Sequence, residues 1–398
     1  MAVRGKAPER AWLVWARRKS RPAVSRGVPP PGAAGEFWAP GTPVIQQPAL
    51  RLQPDLLGEL ESLVEAAGGV VAGSVTHAIS AENPATLIGS GALRQLKDAV
   101  AGNGVELVVF QNLLRPKQQT NLEKELEVKV LDRREVILDI FARRARSREG
   151  KLQVEMAQLS FRLGRLAGGR RDLSRLGGGI GTRGPGEKKL EEDRRRIRTQ
   201  LRQIARELET VRRTRALHYK RRRDVGFPVV AIVGYTNAGK STLFNRLTGA
   251  GVFVADQLFA TLDPTARKVR LPGGRDAIAV DTVGFIHELP SELRDAFLAT
   301  LEGIGEADVL LHVVDGSSEE MESNLASVDG ILSELGYGDK PTIVAVNKSD
   351  LGAGGGPCPA GGVRISAASG DGIDALLAAV EGTLCRCLSE KSDSTRPA

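Results

Sequence analysis

The 398-residue sequence has few of the residues on which disulfide, metal and histidine chemistry depend. Its three cysteines are too few for a disulfide framework and indicate a reducing compartment. Cys385 and Cys387 form a C-x-C with no other cysteine or histidine close in sequence, so a zinc site is not expected. The four histidines are scattered, which argues against histidine-based nucleophilic catalysis and against a histidine metal site.

The chain also lacks an apolar run of the roughly 20 residues that a membrane helix needs, so stable membrane insertion is not expected. We expect a cytoplasmic protein, with one alternative. The N-terminal stretch is rich in arginine and contains a single acid, Glu9, as in an organellar transit peptide. Alternatively, Glu9–Trp15 forms a first strand that a disordered insertion rich in proline and glycine follows. The sequence leaves both open.

The charge is not balanced, because the formal net charge is +8. Such an excess favours an anionic partner such as nucleic acid. Much of the excess lies between Glu187 and Asp224, where fifteen lysines and arginines face seven acids. A solvated helix face would carry mixed signs, so the one-sided excess indicates contact with a phosphate backbone.

Two patterns precede and include this basic segment. Helical and strand-like stretches alternate from Pro54 to Arg146, which predicts a small parallel α/β domain. Apolar residues then recur at alternating spacings of four and three in 152–166 and in 190–211. This period predicts two helices packed as an antiparallel, coiled-coil-like hairpin. The glycine-rich stretch Leu176–Glu187 (LGGGIGTRGPGE), called the tip loop below, joins them.

A phosphate-binding loop is the most specific signal in the chain. In Pro228–Leu247 (PVVAIVGYTNAGKSTLFNRL), a buried strand leads into G-x-x-x-x-G-K-S and then into a helix. Backbone amides curl around the phosphates, Lys240 supplies a positive charge, and Ser241 supplies a hydroxyl ligand to Mg²⁺. The predicted nucleotide contacts are Gly234, Tyr235, Thr236, Asn237, Ala238, Gly239, Lys240 and Ser241.

A second motif selects the base. The strand in Pro341–Leu351 ends in Asn347, Lys348, Ser349 and Asp350. The Asp350 carboxylate can accept the N1 and N2 protons of guanine, whereas adenine offers only an acceptor at N1. Asn347 either bonds the N7 side of the ring or braces the phosphate-binding loop, and the Lys348 stem can stack on the purine. Backbone amides of Ser366, Ala367 and Ala368 could meet O6. We therefore expect GTP and GDP, not ATP, to bind.

Two further elements complete the predicted site. A strand ends in Asp281, Thr282, Val283 and Gly284. Asp281 should hold Mg²⁺ through a water, and the Gly284 amide can bond the γ-phosphate. Thr261, in the loop Asp256–Thr265, is the candidate second direct Mg²⁺ ligand, and the alternative is an ordinary loop threonine. Lys240, Thr261 and Gly284 are thus the predicted catalytic residues.

Phe285 follows Gly284 at the position where Ras-like GTPases carry a glutamine that orients the attacking water. A phenylalanine cannot hydrogen-bond that water. Hydrolysis by the isolated chain should therefore be slow, and an outside factor should complete the site.

With these motifs, the chain closely resembles the HflX family of ribosome-associated GTPases. The resemblance rests on the phosphate-binding loop, DQLFATLDPT, DTVGFIHELP, NKSD and GGGIGTRGPGE, and it runs from about Leu56 to the helix ending near Leu388. It implies an α/β fold built of an N-terminal α/β domain, an antiparallel helical hairpin and a P-loop G domain with a mostly parallel sheet. The expected boundaries are a variable, disordered extension or insertion (1–50), the N-terminal domain (51–147), the hairpin (148–225), the G domain (226–388) and a flexible tail (389–398).

The resemblance also implies a function and further contacts. It adds nucleotide contacts at Phe259, Ala260, Thr261, Leu262 and Asp263, and Mg²⁺ ligation by Ser241 and Thr261. The implied partners are GTP or GDP and the large ribosomal subunit with its rRNA, which the tip loop reaches near the peptidyl-transferase region. The ribosome would stimulate hydrolysis, and the protein, a monomer off the ribosome, would split stalled ribosomes. Two alternatives stay open: a GTP-gated assembly factor of the large subunit, and a membrane-associated regulator.

Overall fold

A computed structural model of the chain describes residues 8–19, 55–168, 185–224, 227–251, 258–259, 265–287, 303–352 and 358–393. Within these ranges the chain forms an N-terminal α/β domain, a helical hairpin and a second α/β domain, as expected from the sequence. No helix in the described ranges is long and apolar enough to cross a membrane.

The N-terminal domain is a parallel sheet with helical connections. Its strands run in the spatial order β2-β1-β3-β4 and are β1 (Arg10–Arg18), β2 (Val70–Ile79), β3 (Leu107–Phe110) and β4 (Lys129–Asp132). Its helices are α1 (Leu56–Ala66), α2 (Ser90–Gly102), α3 (Pro116–Leu126) and α4 (Arg133–Arg144). Helix α4 starts directly after β4 because the Asp132 side chain accepts a hydrogen bond from the Glu135 amide, in a capping box.

Strand β1 corrects the expected start of this domain. It lies in the interior of the sheet, paired with β2 on one side and β3 on the other. Leu13 and Val14 point to opposite faces, and both are buried. The prediction that residues 1–50 lie outside the fold is therefore wrong for this strand, and the alternative of a first strand is the one that the structure supports.

The hairpin consists of α5 (Arg148–Gly168) and α6 (Pro185–Asp224). Leu159, Ile204 and Leu208 are buried in its seam, as the spacing of four and three predicts. The Arg194 guanidinium donates to the Leu166 carbonyl, whereas Arg148 at the other end of α5 pairs with Glu207 at 3.1 Å. Because the start of α6 contacts the end of α5 and a later part of α6 contacts the start of α5, the two helices are antiparallel. Most of the tip loop lies outside the described residues.

The second α/β domain contains a six-stranded sheet in the order β10-β9-β8-β5-β7-β6, parallel except for β6. The strands are β5 (Val229–Gly234), β6 (Thr265–Arg270), β7 (Asp276–Asp281), β8 (Val309–Asp315), β9 (Thr342–Asn347) and β10 (Val363–Arg364). The helices are α7 (Lys240–Thr248), α8 (Met321–Glu334) and α9 (Ile373–Asp393). Helix α9 thus continues five residues into the segment expected as a flexible tail.

The two α/β domains share one buried apolar cluster. On the N-terminal side it includes Leu60, Ile137 and Phe141, and on the other side Phe259 and Phe285. The Phe141 and Phe259 rings pack edge to face with their centroids 4.8 Å apart. The N-terminal domain therefore packs directly on the loops that the sequence assigns to the nucleotide.

Candidate functional site

The predicted nucleotide-binding residues gather at one edge of the second sheet. Gly234, Asp281 and Asn347 are the last residues of the parallel strands β5, β7 and β9. Ligands of open parallel sheets bind at the carboxyl ends of the strands, because the loops that follow them converge there. The arrangement is the one that the motifs predict.

The phosphate-binding loop ends where α7 begins. Gly239 has φ +89°, and a Cβ atom there would lie 2.2 Å from the Asn347 side-chain nitrogen. Only glycine adopts this conformation without strain and leaves this space. Helix α7 starts at the next residue, Lys240, so the amides of its first turn lie next to the loop.

Lys240 lies buried inside the loop. Its ammonium group donates a 2.6 Å hydrogen bond to the Tyr235 carbonyl, which holds the charge near the α7 N-terminus. Burial lowers the pKa of Lys240 to about 8, against the opposing effect of the Asp281 carboxylate. A phosphate beside this ammonium would favour the charged form.

Asn347 braces the site. Its side-chain amide donates to the Ala238 carbonyl at 2.9 Å, and its side-chain carbonyl accepts from the Ala367 amide at 2.9 Å. Of the two roles that the sequence leaves open, the structure places the side chain in the bracing one. The residue thus ties the phosphate-binding loop to the 366–368 loop.

Replacing Asn347 with alanine should weaken GDP and GTP binding alike. The change removes two buried hydrogen bonds worth about 1 kcal/mol each, or roughly thirtyfold in affinity together. Titration with a fluorescent guanine nucleotide measures this. Asn103→Ala, which removes one exposed bond to the Ala99 carbonyl, is the matched control. Wild-type affinity in Asn347→Ala would contradict the bracing role.

Ser241 and Asp281 provide the oxygen atoms expected near Mg²⁺. The Ser241 hydroxyl and an Asp281 carboxylate oxygen are 2.9 Å apart, and Asp281 is fully buried. A hydroxyl beside a carboxylate suits a hard cation that prefers oxygen ligands, so these residues fit Mg²⁺. The remaining predicted ligand, Thr261, lies outside the described residues, as do Ala260, Leu262 and Asp263.

The segment after Asp281 lies against the phosphate-binding loop. A Cβ atom on Gly284 would be 2.7 Å from the Thr236 methyl carbon and 3.0 Å from the Lys240 ammonium nitrogen, so a larger residue does not fit. Thr282 is held by its hydroxyl, which donates to the Ile232 carbonyl at 2.7 Å. Val283 and Phe285 are buried in the shared apolar cluster.

The guanine motif shows one partner that the sequence did not reveal. Lys348 has φ +64°, and its ammonium group pairs with Asp315 at 2.6 Å. Asp315 is the last residue of β8, which lies next to β9 in the sheet. Its place at the end of a neighbouring strand was the sequence signal that could have identified it as a partner of Lys348. Ser349 donates its amide to the Ile365 carbonyl at 3.1 Å, and Asp350 is exposed beside it.

The 366–368 loop is held by a second residue that sequence reasoning missed. The Arg246 guanidinium, from α7, donates to the Ala367 carbonyl at 3.2 Å and also to the Ala368 carbonyl. Ser366 is fully buried and donates its amide to the Asp371 carbonyl at 2.9 Å. The Ala367 amide is itself engaged, because it donates to the Asn347 side-chain carbonyl at 2.9 Å.

Family models match residues 55–348 with two short gaps. Residues 55–142 match the model described as GTP-binding GTPase N-terminal, and residues 144–222 match the GTP-binding GTPase middle region. Residues 229–348 match the model described as a 50S ribosome-binding GTPase.

Relatives of known name are similar over most of their length. GTPase HflX of Caldanaerobacter subterraneus subsp. tengcongensis is 51% identical over 333 residues, which cover 83% of this chain and 77% of that protein. GTPase HflX of Escherichia coli strain K12 is 45% identical over 295 residues, covering 74% and 69%.

A solved structure of the protein SsGBP with GDP superposes with a TM-score of 0.50 at 23% identity, covering 95% of this chain and 99% of that one. This likeness shows the fold. Together with the sequence relatives and the phosphate-binding loop, it leads to one conclusion: the chain belongs to the HflX family of GTPases, which bind GTP.

Proposed function

We propose that the protein is a ribosome-stimulated GTPase that acts on the large ribosomal subunit and splits or rescues stalled ribosomes. The observation that carries this proposal is the joint presence of the guanine-nucleotide motifs at one sheet edge and a long hairpin with a basic second helix. The match of 229–348 to a 50S ribosome-binding GTPase model supports the partner. The nucleotide edge without the basic hairpin would support nucleotide binding but not ribosome binding.

The nucleotide would lie along the edge from Gly234 to Ala368. Lys240 neutralises charge on the β- and γ-phosphates, the α7 amides hold the β-phosphate, and the Gly284 amide bonds the γ-phosphate. Ser241 and Thr261 would hold Mg²⁺, with Asp281 behind a water, and the ion supplies charge stabilisation to the phosphates when it is bound. Asp350 reads the guanine edge.

Phe285, the residue after Gly284, is the reason that we expect slow GTP hydrolysis by the protein in the absence of the ribosome. The Phe285 ring is 5% exposed and belongs to the apolar cluster shared with the N-terminal domain. It neither hydrogen-bonds water nor faces solvent. A group from the ribosome would therefore orient the attacking water or stabilise the transition-state charge.

The hairpin supplies the ribosome contact in this proposal. On the described part of α6, Arg195, Arg196 and Arg206 are exposed. Cations on a solvent-facing helix bind nucleic acid through its phosphates, with affinity that falls as salt rises. The tip loop carries small residues that allow close backbone approach to a crowded surface, and Arg183 is its long cation.

Measuring GTP turnover with and without purified large subunits tests this function. We expect a clear stimulation by large subunits. Equal rates in both conditions would exclude the ribosome as activator. Light scattering of intact ribosomes with GTP then separates two roles, because a splitting factor lowers the signal whereas an assembly factor leaves it unchanged.

Deleting Gly177–Gly186 should spare GTP binding and abolish ribosome-stimulated hydrolysis or splitting. The deletion removes the tip but none of the nucleotide-binding loops. Nucleotide titration and turnover with large subunits measure the two effects separately. Replacing the segment with a flexible glycine-serine linker of equal length is the control for hairpin geometry. Retention of full stimulation by both variants would remove the tip from the proposal.

A further inference from the structure

Tyr235, the second residue of the phosphate-binding loop, directs its two polar groups to opposite sides. Its backbone carbonyl faces inward and accepts the Lys240 ammonium at 2.6 Å. Its side chain points away from the loop interior, and its hydroxyl accepts a 2.9 Å hydrogen bond from the His287 amide. The Tyr235 and His287 rings lie 5.0 Å apart. One residue therefore connects the phosphate-binding loop with the segment that follows Gly284.

The N-terminal domain meets Tyr235 with a buried ion pair. Arg133, the first residue of α4, donates to Glu59 on α1 at 2.8 Å, and the two side chains are 2% and 9% exposed. The same guanidinium nitrogen also donates to the His287 carbonyl. The Glu59 carboxylate lies close to the Tyr235 hydroxyl and affects its pKa, but its Oε2 atom accepts no hydrogen bond from the described residues. Arg133 thus holds His287, the hydrogen-bond partner of Tyr235, and orients the carboxylate beside the tyrosine.

Burial determines the protonation in this cluster. It raises the pKa of Tyr235 above its usual range, with the Glu59 charge acting in the same direction, so the hydroxyl stays protonated and can donate. Burial also raises the pKa of Glu59, against the opposing effect of Arg133. The Tyr235 hydroxyl accepts from the His287 amide and keeps a proton that it can donate to the Glu59 carboxylate, whose Oε2 atom accepts no hydrogen bond from the described residues.

The segment Gly284–His287 is attached to the phosphate-binding loop at three points. The Phe285 amide donates to the Gly234 carbonyl at 3.1 Å, and the Thr236 amide donates to the Phe285 carbonyl at 2.8 Å. The third point is the bond from His287 to Tyr235. The backbone position of Gly284, whose amide is assigned to the γ-phosphate, depends on this attachment.

We propose that Tyr235 is a positioning residue for γ-phosphate recognition, and that Glu59 and Arg133 of the N-terminal domain hold it in place. The hydroxyl fixes His287, and His287 fixes the segment that carries the Gly284 amide. GTP needs this amide in position, whereas GDP has no γ-phosphate to engage it. Docking of the N-terminal domain therefore favours GTP over GDP. The inference rests on the proposed nucleotide site.

The contact between Phe141 and Phe259 supports the same coupling from a second side. Phe141 lies on α4, the helix that begins with Arg133, and Phe259 precedes the loop of Thr261. One helix thus touches the segments on both sides of the γ-phosphate position. By linkage, GTP must then strengthen the docking of this helix as much as docking strengthens GTP binding.

Glu59→Gln tests the proposal by comparing two nucleotides. We expect the affinity for a non-hydrolysable GTP analogue to fall about fivefold, a loss equivalent to one ordinary hydrogen bond, while GDP affinity stays within about twofold. Tyr235→Phe should lower the ratio of GTP-analogue affinity to GDP affinity by a similar factor. The double variant should lose little more than either single variant, because both changes act through the same connection to the segment that carries the Gly284 amide.

Hydrogen exchange distinguishes a role of Glu59 in GTP recognition from a purely structural role. A purely structural role would not make amide exchange depend on which nucleotide is bound. In the wild type, the GTP analogue should slow amide exchange in α1 and α4 more than GDP does. This difference should disappear in Glu59→Gln. Glu125→Gln, an exposed change of the same kind on α3, is the matched control and should behave as the wild type.

Two outcomes would overturn the inference. If Glu59→Gln and Tyr235→Phe change both affinities equally, or leave their ratio unchanged, the contact does not act on the γ-phosphate. If the Arg133 charge left behind in Glu59→Gln prevents folding, Tyr235→Phe alone decides by the same ratio. A wild-type chain that binds neither nucleotide would instead overturn the proposed function, and this inference with it.

Discussion

Replacing Lys240 with alanine is expected to weaken GTP binding several hundredfold. The ammonium is buried at the start of α7, beside the loop in which the phosphates are expected. Removing one partner from a buried, hydrogen-bonded charge pair costs about 3 to 4 kcal/mol, because the other charge is left without compensation. Titration with a fluorescent GTP analogue measures the loss directly.

Two observations control this result. Lys268→Ala removes an exposed lysine of β6 that pairs with Asp276, and it should bind GTP as the wild type does. Thermal unfolding without nucleotide should differ little between Lys240→Ala and the wild type, since the loss of one bond to the Tyr235 carbonyl is offset by relief of a buried charge. Unchanged GTP affinity in Lys240→Ala would contradict the assignment of this loop.

Changing Asp350 to asparagine is expected to exchange the base preference. A carboxylate accepts two protons from guanine, whereas an asparagine accepts one and presents a donor that opposes the guanine amino group. We expect GTP affinity to fall by about 3 kcal/mol, or roughly a hundredfold. Xanthine carries a carbonyl in place of that amino group, so affinity for xanthosine triphosphate should rise.

Competition between the two nucleotides for one fluorescent analogue measures the exchange. Asp339→Asn, an exposed change of the same kind beyond the end of α8, should leave both affinities unaltered. A variant that loses GTP without gaining xanthosine triphosphate would point to disruption of the loop. One that keeps full GTP affinity would remove Asp350 from base recognition.

Local spacing was enough to predict the parts of the molecule that depend on neighbours in sequence. The phosphate-binding loop is recognisable because its glycines, Lys240 and Ser241 lie within eight residues between a strand and a helix. The hairpin seam is recognisable because Leu159, Ile204 and Leu208 belong to rows spaced by three and four. In both cases a short stretch of sequence contains the residue spacing that identifies the structure.

Contacts between distant residues could not be predicted in this way. Strand β1 was left open because its partner β2 starts at Val70, far along the chain, and β3 starts later still. The contact of Arg133 with the His287 carbonyl depends on how two domains pack, and no spacing within either domain records it. Asp315 and Arg246 were missed for the same reason.

The interior position of β1 has a consequence for how the protein can be made and cut. As the chain leaves the ribosome that synthesises it, β1 comes first, yet neither neighbouring strand exists until Val70 and then Leu107 have been added. The N-terminal domain therefore cannot complete its sheet during the early part of synthesis, which delays its folding. A proteolytic cut after Arg18 would allow β1 to dissociate, and β2 would then lose its hydrogen-bonded neighbour, since β1 alone pairs with both β2 and β3 in the described sheet.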